Sequence, residues 1–327
     1  MRCRAVTVVL ALAVLPLASL GGCSGGGSPT GSPSSASSSP ASSSGRSVDV
    51  RSVVTVGNQP CGVLVTPSRV WVSNYGDGTL QWVDPATHRT GPAIRVGSRP
   101  CGLARGGGSI WVENYGSASL TRVDERSGTV TATVTVGDQP YDVAYAAGAA
   151  WVTDWADGTV SRVDARTNRR TVIRTGGTPT GIVGAGGSLW VPVKSLDTVV
   201  RLDPATSRVT GHVAVTQPTW TAAAGDTVWV SSPQTGSVTR IDARTGRIVA
   251  TVAVCPTPQD GSVASGGVWV PCQGGDVYRV DADSNAVTGP WRTGTANPFV
   301  LDAASGAVWT ADFAGRTLVE VDTSTTP

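Results

Sequence analysis

Histidine, methionine, phenylalanine and lysine are close to absent from this chain. Among its 327 residues are two His, one Met and two Phe, and Lys194 is the one lysine among 25 basic residues. So few histidines leave little for imidazole acid–base chemistry or a histidine metal centre. Arg almost wholly replaces Lys, which reads as the codon bias of a high-GC genome. Nor is there a surplus of charge. The formal net charge of +2 is carried by Arg2 and Arg4, so the remainder balances 23 basic against 23 acidic residues. That balance gives no footprint for nucleic acid or acidic lipid. No stretch has the pattern of a long amphipathic helix. The apolar run from Val8 to Leu20, interrupted by Pro16, is too short to span a bilayer.

What the chain does have is a beat. Trp recurs at 71, 111, 151, 190, 229, 269 and 309, at intervals of 40, 40, 39, 39, 40 and 40 residues. A Pro precedes each by eleven residues (60, 100, 140, 179, 218, 258, 298), and an Asp follows twelve or thirteen later (84, 124, 164, 203, 242, 281, 322). Three markers in step seven times are the mark of a repeat architecture. The third unit shows the plan. Asp142–Tyr145 alternates as a strand, Ala150–Thr153 follows after a turn, Val160–Val163 is a third strand, and a hairpin leads to Thr171–Ile173. Four antiparallel strands per unit, repeated around an axis, predict an all-β fold, a seven-bladed β-propeller. The seventh unit ends at Asp322 without its fourth strand, whereas Val48–Val54 is a spare strand ahead of the first unit. The N-terminal strand is therefore expected to complete blade seven and leave no open edge.

Ahead of the propeller, assigned to 47–327, stand two further segments. Residues 1–22 have the basic, apolar and small-residue order of an export signal. Residues 23–46 are almost entirely Ser, Gly, Pro and Ala, a composition that stays disordered and reaches about 25 Å as a flexible coil.

Two resemblances follow from these residues. Leu20-Gly21-Gly22-Cys23 resembles a bacterial lipobox, which implies lipidation of Cys23 and a lipid-anchored protein on the extracytoplasmic face of the cell membrane. The repeats read Val-Gly-x-x-Pro-x-Gly, Trp-Val-x-Asn, and Gly-Thr-Leu/Val-x-x-Val-Asp-x-x-Thr. They resemble the YVTN (YncE-like) family of β-propeller repeats over 54–322, with Trp where that family more often has Tyr. The resemblance implies a fold and leaves function open. A more distant resemblance is to the streptogramin (virginiamycin B) lyases. It implies a catalytic His and metal-binding Glu residues near the channel mouth. Here His88 falls in a turn and His212 in an outer strand, and Glu113, Glu125 and Glu320 are not expected to pair there, so that activity does not carry over.

Seven equivalent Trp residues are expected to pack between blades. The recurring Asp with Ser or Thr three residues on fits a hairpin turn whose carboxylate accepts backbone N–H groups. Arg122, Arg162, Arg201, Arg240 and Arg279, phased on the third strands, are assigned to packing or ion pairs. Function should show where the repeat is broken on the face at the channel mouth. There Tyr141, Asp142, Asp154, Trp155 and Asp157 of blade three, Trp220, Asp260, Phe299 and Asp312 make an acidic and aromatic rim. Such a rim suits a cation, a sugar or a peptide with a basic end; the bland alternative is a polar funnel holding water. No loop has dedicated Ca²⁺ or Mg²⁺ spacing, so a divalent cation at the mouth is left open and no other cofactor is expected.

Cys255 and Cys272 should be brought together by strand pairing within blade six, and Cys61 and Cys101 occupy equivalent positions in blades one and two. Two disulfides are expected; export and the lack of a Cys-x-x-Cys pair argue against free or metal-binding thiols. The leading expectation is a tethered, monomeric binding scaffold for a small molecule, glycan or protein. The rival is a lyase or hydrolase using a divalent cation with Asp142 or Asp154 as base.

Overall fold

The computed structural model describes residues 46–47, 50–295, 298–304 and 307–322. The expected signal peptide, the tether up to residue 45 and Cys23 lie outside them. Seven sheets follow one another along the chain, each built of strands that pair antiparallel in sequence order. Blade three is representative: Pro140–Ala146 is innermost, then Ala149–Asp154, Thr159–Asp164 and, outermost, Arg170–Arg174. Among the described residues, no helix is long and apolar enough to cross a membrane.

The second strand of each blade is buried over nearly its whole length, which is why its middle is apolar around the Trp, while its polar residues gather toward the end at the channel mouth. Each repeated Trp is at most 2% exposed. Trp111 packs with Val143, Val152 and Val163 of the next blade, and Trp151 with Ile182, Leu189 and Val191 of the one after. The indole therefore fills the wedge between neighbours, as the periodicity requires. The phased arginines lie over these rings. Arg122, Arg162, Arg201 and Arg240 stand 5.0, 5.6, 5.5 and 5.4 Å from the centroids of Trp111, Trp151, Trp190 and Trp229. Three also donate to the next blade, Arg122 to the Ala165 carbonyl, Arg201 to that of Arg244 at 3.2 Å and Arg240 to Asn285 Oδ1 at 3.3 Å. Replacing Trp151 by Ala should cost about 3–5 kcal/mol, because the stiff sheets on either side cannot collapse into the void. Chemical denaturation of the variant would measure it.

The hairpin Asp residues behave as turn anchors. Asp84 Oδ1 accepts from the N–H groups of Ala86 and Thr87 at 2.8 and 2.9 Å. Asp281 accepts likewise from Ser284 and Asp283, and these bonds hold its carboxyl down to about 2. Four residues after each such Asp the backbone is left-handed, at His88, Gly128, Asn168, Ser207, Gly246 and Asn285, which lets the hairpin close.

The ring closes as expected. Val50–Thr55 pairs antiparallel with Thr317–Asp322, setting Val53 opposite Val319 and Val54 opposite Leu318. Val54 and Val56 are buried with Trp309 and Leu318. The seam has its own polar stitch. Glu320 stands in the third-strand position that holds Arg in five other blades. It takes His88 Nε2 of blade one at 2.8 Å, Ser52 Oγ at 3.2 Å and Arg51 at 3.7 Å. Just upstream, Arg46–Ser47 runs parallel to Val287–Arg292 and adds a fifth strand to blade six. The N-terminal segment thus touches two blades, where the repeat pattern called for one.

Candidate site at the channel mouth

The innermost strands line the axis, and several carry a β-bulge just after the marker Pro. In blades one, two, three and seven the register slips beside Pro60, Pro100, Pro140 and Pro298. A bulge turns a backbone N–H out of the ladder, and that group needs another acceptor. The residue two after the Trp supplies it. Ser73 Oγ accepts from Gly62 N at 2.8 Å and donates to the Cys101 carbonyl of the next blade at 2.7 Å. Thr153 Oγ1 accepts from Asp142 N at 3.1 Å and donates to the Thr180 carbonyl. In blade two this place is taken by Glu113. Its Oε1 accepts from Gly102 N at 2.9 Å, whereas its Oε2 is buried with no partner.

Glu113 is 1% exposed, and burial pushes its carboxyl well above the usual range, with Asp142 adding to the effect. Only the bare Cα of Gly102 separates the two residues: a Cβ there would lie 3.0 Å from both Asp142 Oδ1 and Glu113 Cγ. Asp142 itself accepts from Ile182 N of blade four at 2.9 Å and from Val143 N at 2.7 Å. Burial outweighs those bonds and raises its carboxyl to about 7. On the other side of the ring, Asp302 accepts from Val65 N of blade one and Ser262 Oγ of blade six, both at 2.7 Å. Its carboxyl is also raised by burial. Asp260 makes no side-chain hydrogen bond to a described residue. Burial first, then the charges of Asp142 and Asp302, push it well above the ordinary range. Among the described residues none of these four carboxyls has an ion-pair partner. Asp142, Asp260 and Asp302 lie deep in the molecule yet are only partly covered, as groups facing a channel are.

Above them the aromatic residues meet. Tyr141 of blade three stacks on Trp220 of blade five at 5.1 Å, and Trp220 meets Phe299 of blade seven edge-on at 5.9 Å. Phe299 touches Phe313 at 5.5 Å, and Phe313 meets Tyr75 of blade one at 5.6 Å. Rings from blades that are not neighbours touch only if they reach the axis, so this chain of five roofs the channel. Burial, together with the charges of Asp260 and Asp142, raises the Tyr141 hydroxyl above its usual value. Beside Trp220 a cavity of about 10 Å³, room for one water, is lined by the unpartnered hydroxyls of Thr221 and Ser231.

Both disulfides form. Cys61–Cys101 ties the innermost strands of blades one and two with α-carbons 5.0 Å apart, and Cys255–Cys272 spans 6.4 Å within blade six. They mark an exported protein folded in an oxidising compartment.

The structure separates the nine rim residues expected from sequence. It brings Tyr141, Asp142, Trp220, Asp260 and Phe299 together. Asp154 is elsewhere in function: it is fully buried, and its carboxylate accepts from Gly137 N at 2.9 Å, Thr159 Oγ1 at 2.9 Å and Ser161 Oγ at 2.6 Å. Asn114 makes the matching contacts in blade two, to Gly97 N and Ser119, so this position serves the scaffold. Asp157 accepts from Asp138 N at 2.9 Å, as Asp77 does from Asn58 N in blade one. Asp312 leaves Oδ1 buried and unpartnered, and Trp155 is half-buried with its N–H bonded to the Gln139 carbonyl at 3.0 Å. Glu113, expected to stand apart, instead neighbours Asp142, and Asp302 was not foreseen. Glu113 occupies the position of Ser73 and Thr153, so aligning the blades would have exposed it. The divalent cation finds no ready cage: among the described residues no three of His, Cys, Asp and Glu form a metal-binding group.

With this geometry in view, the solved structures are informative about fold. The chain is similar in fold to virginiamycin B lyase. The Staphylococcus aureus enzyme superposes with a TM-score of 0.73 at 14% identity, covering 83% of this chain and 98% of that one. A catalytically inactive variant of the same enzyme, with quinupristin, gives 0.72 at 14% identity over the same shares. Hydrazine synthase of Kuenenia stuttgartiensis gives 0.71 at 15% identity, covering 88% of this chain and all of that one. No family model matches the sequence, and no curated protein does. At such identities the likeness speaks for the seven-bladed plan alone.

Proposed function

We propose that this chain is a membrane-tethered, extracytoplasmic binding propeller that captures its ligand at the roofed end of the channel. One observation carries the reading: five aromatic rings from four blades converge near four carboxyl groups that no basic side chain among the described residues pairs with. A scaffold built only for stability has no reason to gather uncompensated acids at its hub, because each costs desolvation energy. Attachment rests on the Cys23 lipobox and the Ser/Gly/Pro tether of 23–46. A screen of sugars, metal ions and cell-wall fragments by thermal shift tests the binding function. A ligand should raise the melting temperature of the native protein and lose its effect in Asp142→Asn and Trp220→Ala. Ligand responses untouched by both substitutions would remove the site from consideration.

A second reading, a lyase or hydrolase, is favoured by the carboxyl raised to about 7 at Asp142, which suits a general base near neutrality. The similarity in fold to virginiamycin B lyase names a first substrate class to try, macrocyclic compounds such as quinupristin. Turnover abolished in Asp142→Asn would establish it, and inactivity with and without divalent cations would count against it.

A further inference from the structure

We propose that the channel beneath the aromatic roof takes an organic cation, an ammonium or guanidinium compound, between two facing pairs of carboxyl groups. This rests on the binding-scaffold reading and names its ligand class. Glu113 and Asp142 come from blades two and three, Asp260 and Asp302 from blades six and seven, so the pairs stand on opposite sides of a seven-membered ring. Asp142 and Asp260 feel each other's charge across the gap.

Three independent features point to a positive, extended guest. The first is an incomplete hydrogen-bond set: Glu113 Oε2, enclosed beside Asp142, makes no well-formed hydrogen bond and has only the backbone N–H of Cys101 for help, and the Asp260 carboxyl makes no hydrogen bond to a described residue. The second is the roof, since Tyr141, backed by the stacked ring of Trp220, lies next to the same acids, a pairing of aromatic and carboxylate that favours ammonium and guanidinium groups. The third is spacing. The carboxyls interact in succession and do not converge on one point, so no group of three forms a metal cage among the described residues. A compact Mg²⁺ or Ca²⁺ needs several oxygens at one centre. A cation with charges separated along a chain meets the two pairs in turn.

The ionisable groups facing this space are Glu113, Asp142, Asp260, Asp302, Tyr141 and Tyr115. All are acids that burial holds toward the neutral form, and one basic side chain, Arg99, stands at the edge of the roof 5.9 Å from the Tyr75 ring, where its charge favours the ionised form of Tyr115. A cation must draw them into the ionised form, so binding releases protons and tightens as pH rises.

Isothermal titration of the full-length propeller with spermidine, butylammonium and magnesium chloride tests this. Spermidine should bind more tightly than butylammonium, with affinity rising about a hundredfold between pH 5 and pH 8, the size of one linked ionisation with a value near 7. Titration in two buffers of different ionisation enthalpy should show proton release. Asp142→Asn and Asp260→Asn should each weaken spermidine about tenfold or more, and Glu113→Gln should reduce the protons released. Spermidine binding unchanged in both Asp variants overturns the inference, as does magnesium binding more tightly than spermidine. If a neutral ligand binds in a Trp220-dependent way while no cation does, the cation inference falls and the scaffold reading stands. If no compound of any charge binds, both fall.

Discussion

A chain that begins at residue 57 should fail to give a cooperatively folded propeller. The lost segment, Val50–Thr55, supplies the outer strand of blade seven, and its removal bares the whole edge of Thr317–Asp322. The loss can be sized. Val54 and Val56 are about 5% exposed, and burial of a Val stabilises by roughly 2 kcal/mol each. Several ladder bonds at about 1 kcal/mol each are added to this. The sum, on the order of 8 kcal/mol, is comparable with the 5–15 kcal/mol that holds a typical domain together. Glu320 would also lose Ser52 and Arg51 and keep His88 alone. Circular dichroism melts and size exclusion should show aggregation or a broad, early transition. A peptide of residues 48–56 added in excess should restore part of the sharp melt, as noncovalent strand pairing permits. A truncated protein melting with full-length cooperativity would show that the ring holds without its latch.

The second large effect is in pH. The hub acids all have folded pKa values above those of an unfolded chain: Asp142 near 7, with Glu113, Asp260 and Asp302 raised as well. For such a group the native state binds more protons than the unfolded state, so stability is greatest below the unfolded value and falls as pH rises through the folded one. Asp142 alone, raised from 3.8 to about 7, corresponds to about 4 kcal/mol lost by pH 8 at 1.36 kcal/mol per unit. The hairpin carboxylates Asp84, Asp124, Asp164, Asp203, Asp242 and Asp281 have the opposite sign. Their stabilisation is present above the unfolded value and disappears as pH falls below about 4. Stability should therefore peak in mild acid, between about pH 4 and 5, and decline toward pH 8. Denaturant melts across this range would show the peak. Asp142→Asn together with Glu113→Gln should flatten the alkaline limb while leaving the acid limb in place. A profile flat from pH 5 to pH 8 in the native protein would mean that the hub acids are freely hydrated.

Much of the scaffold was legible from residues alone because repetition tests each assignment seven times. The Trp wedge, the turn Asp with its Ser or Thr and the two disulfides each follow from spacing and are found in place, and the phased Arg, expected to pack or pair, stack over the indole in four blades while Arg279 pairs with Asp281. The site was read less well. Asp154 was expected at the rim because it stands three residues after the marker Trp, where the second strand enters the loop at the channel mouth. The structure turns that position inward, where an Asn or an Asp equally completes a loop. Glu113 was set aside because the three Glu residues are scattered in sequence and were not expected to pair at the channel mouth.

What the sequence determined is the number of blades, the strand that closes them and the compartment implied by the cysteines. These depend on period, alternation and composition, which are local properties of a chain. Only the tertiary structure decided which side chains meet at the hub. Tyr141, Trp220 and Phe299 could be placed at the rim from their blade positions, but which ring touches which could not. They become one roof because seven wedges close on a single axis, and the same closure sets Glu113 and Asp142 opposite Asp260 and Asp302. Contacts across a ring depend on its closing angle and on where each bulge aims its strand, and neither is written in any one repeat.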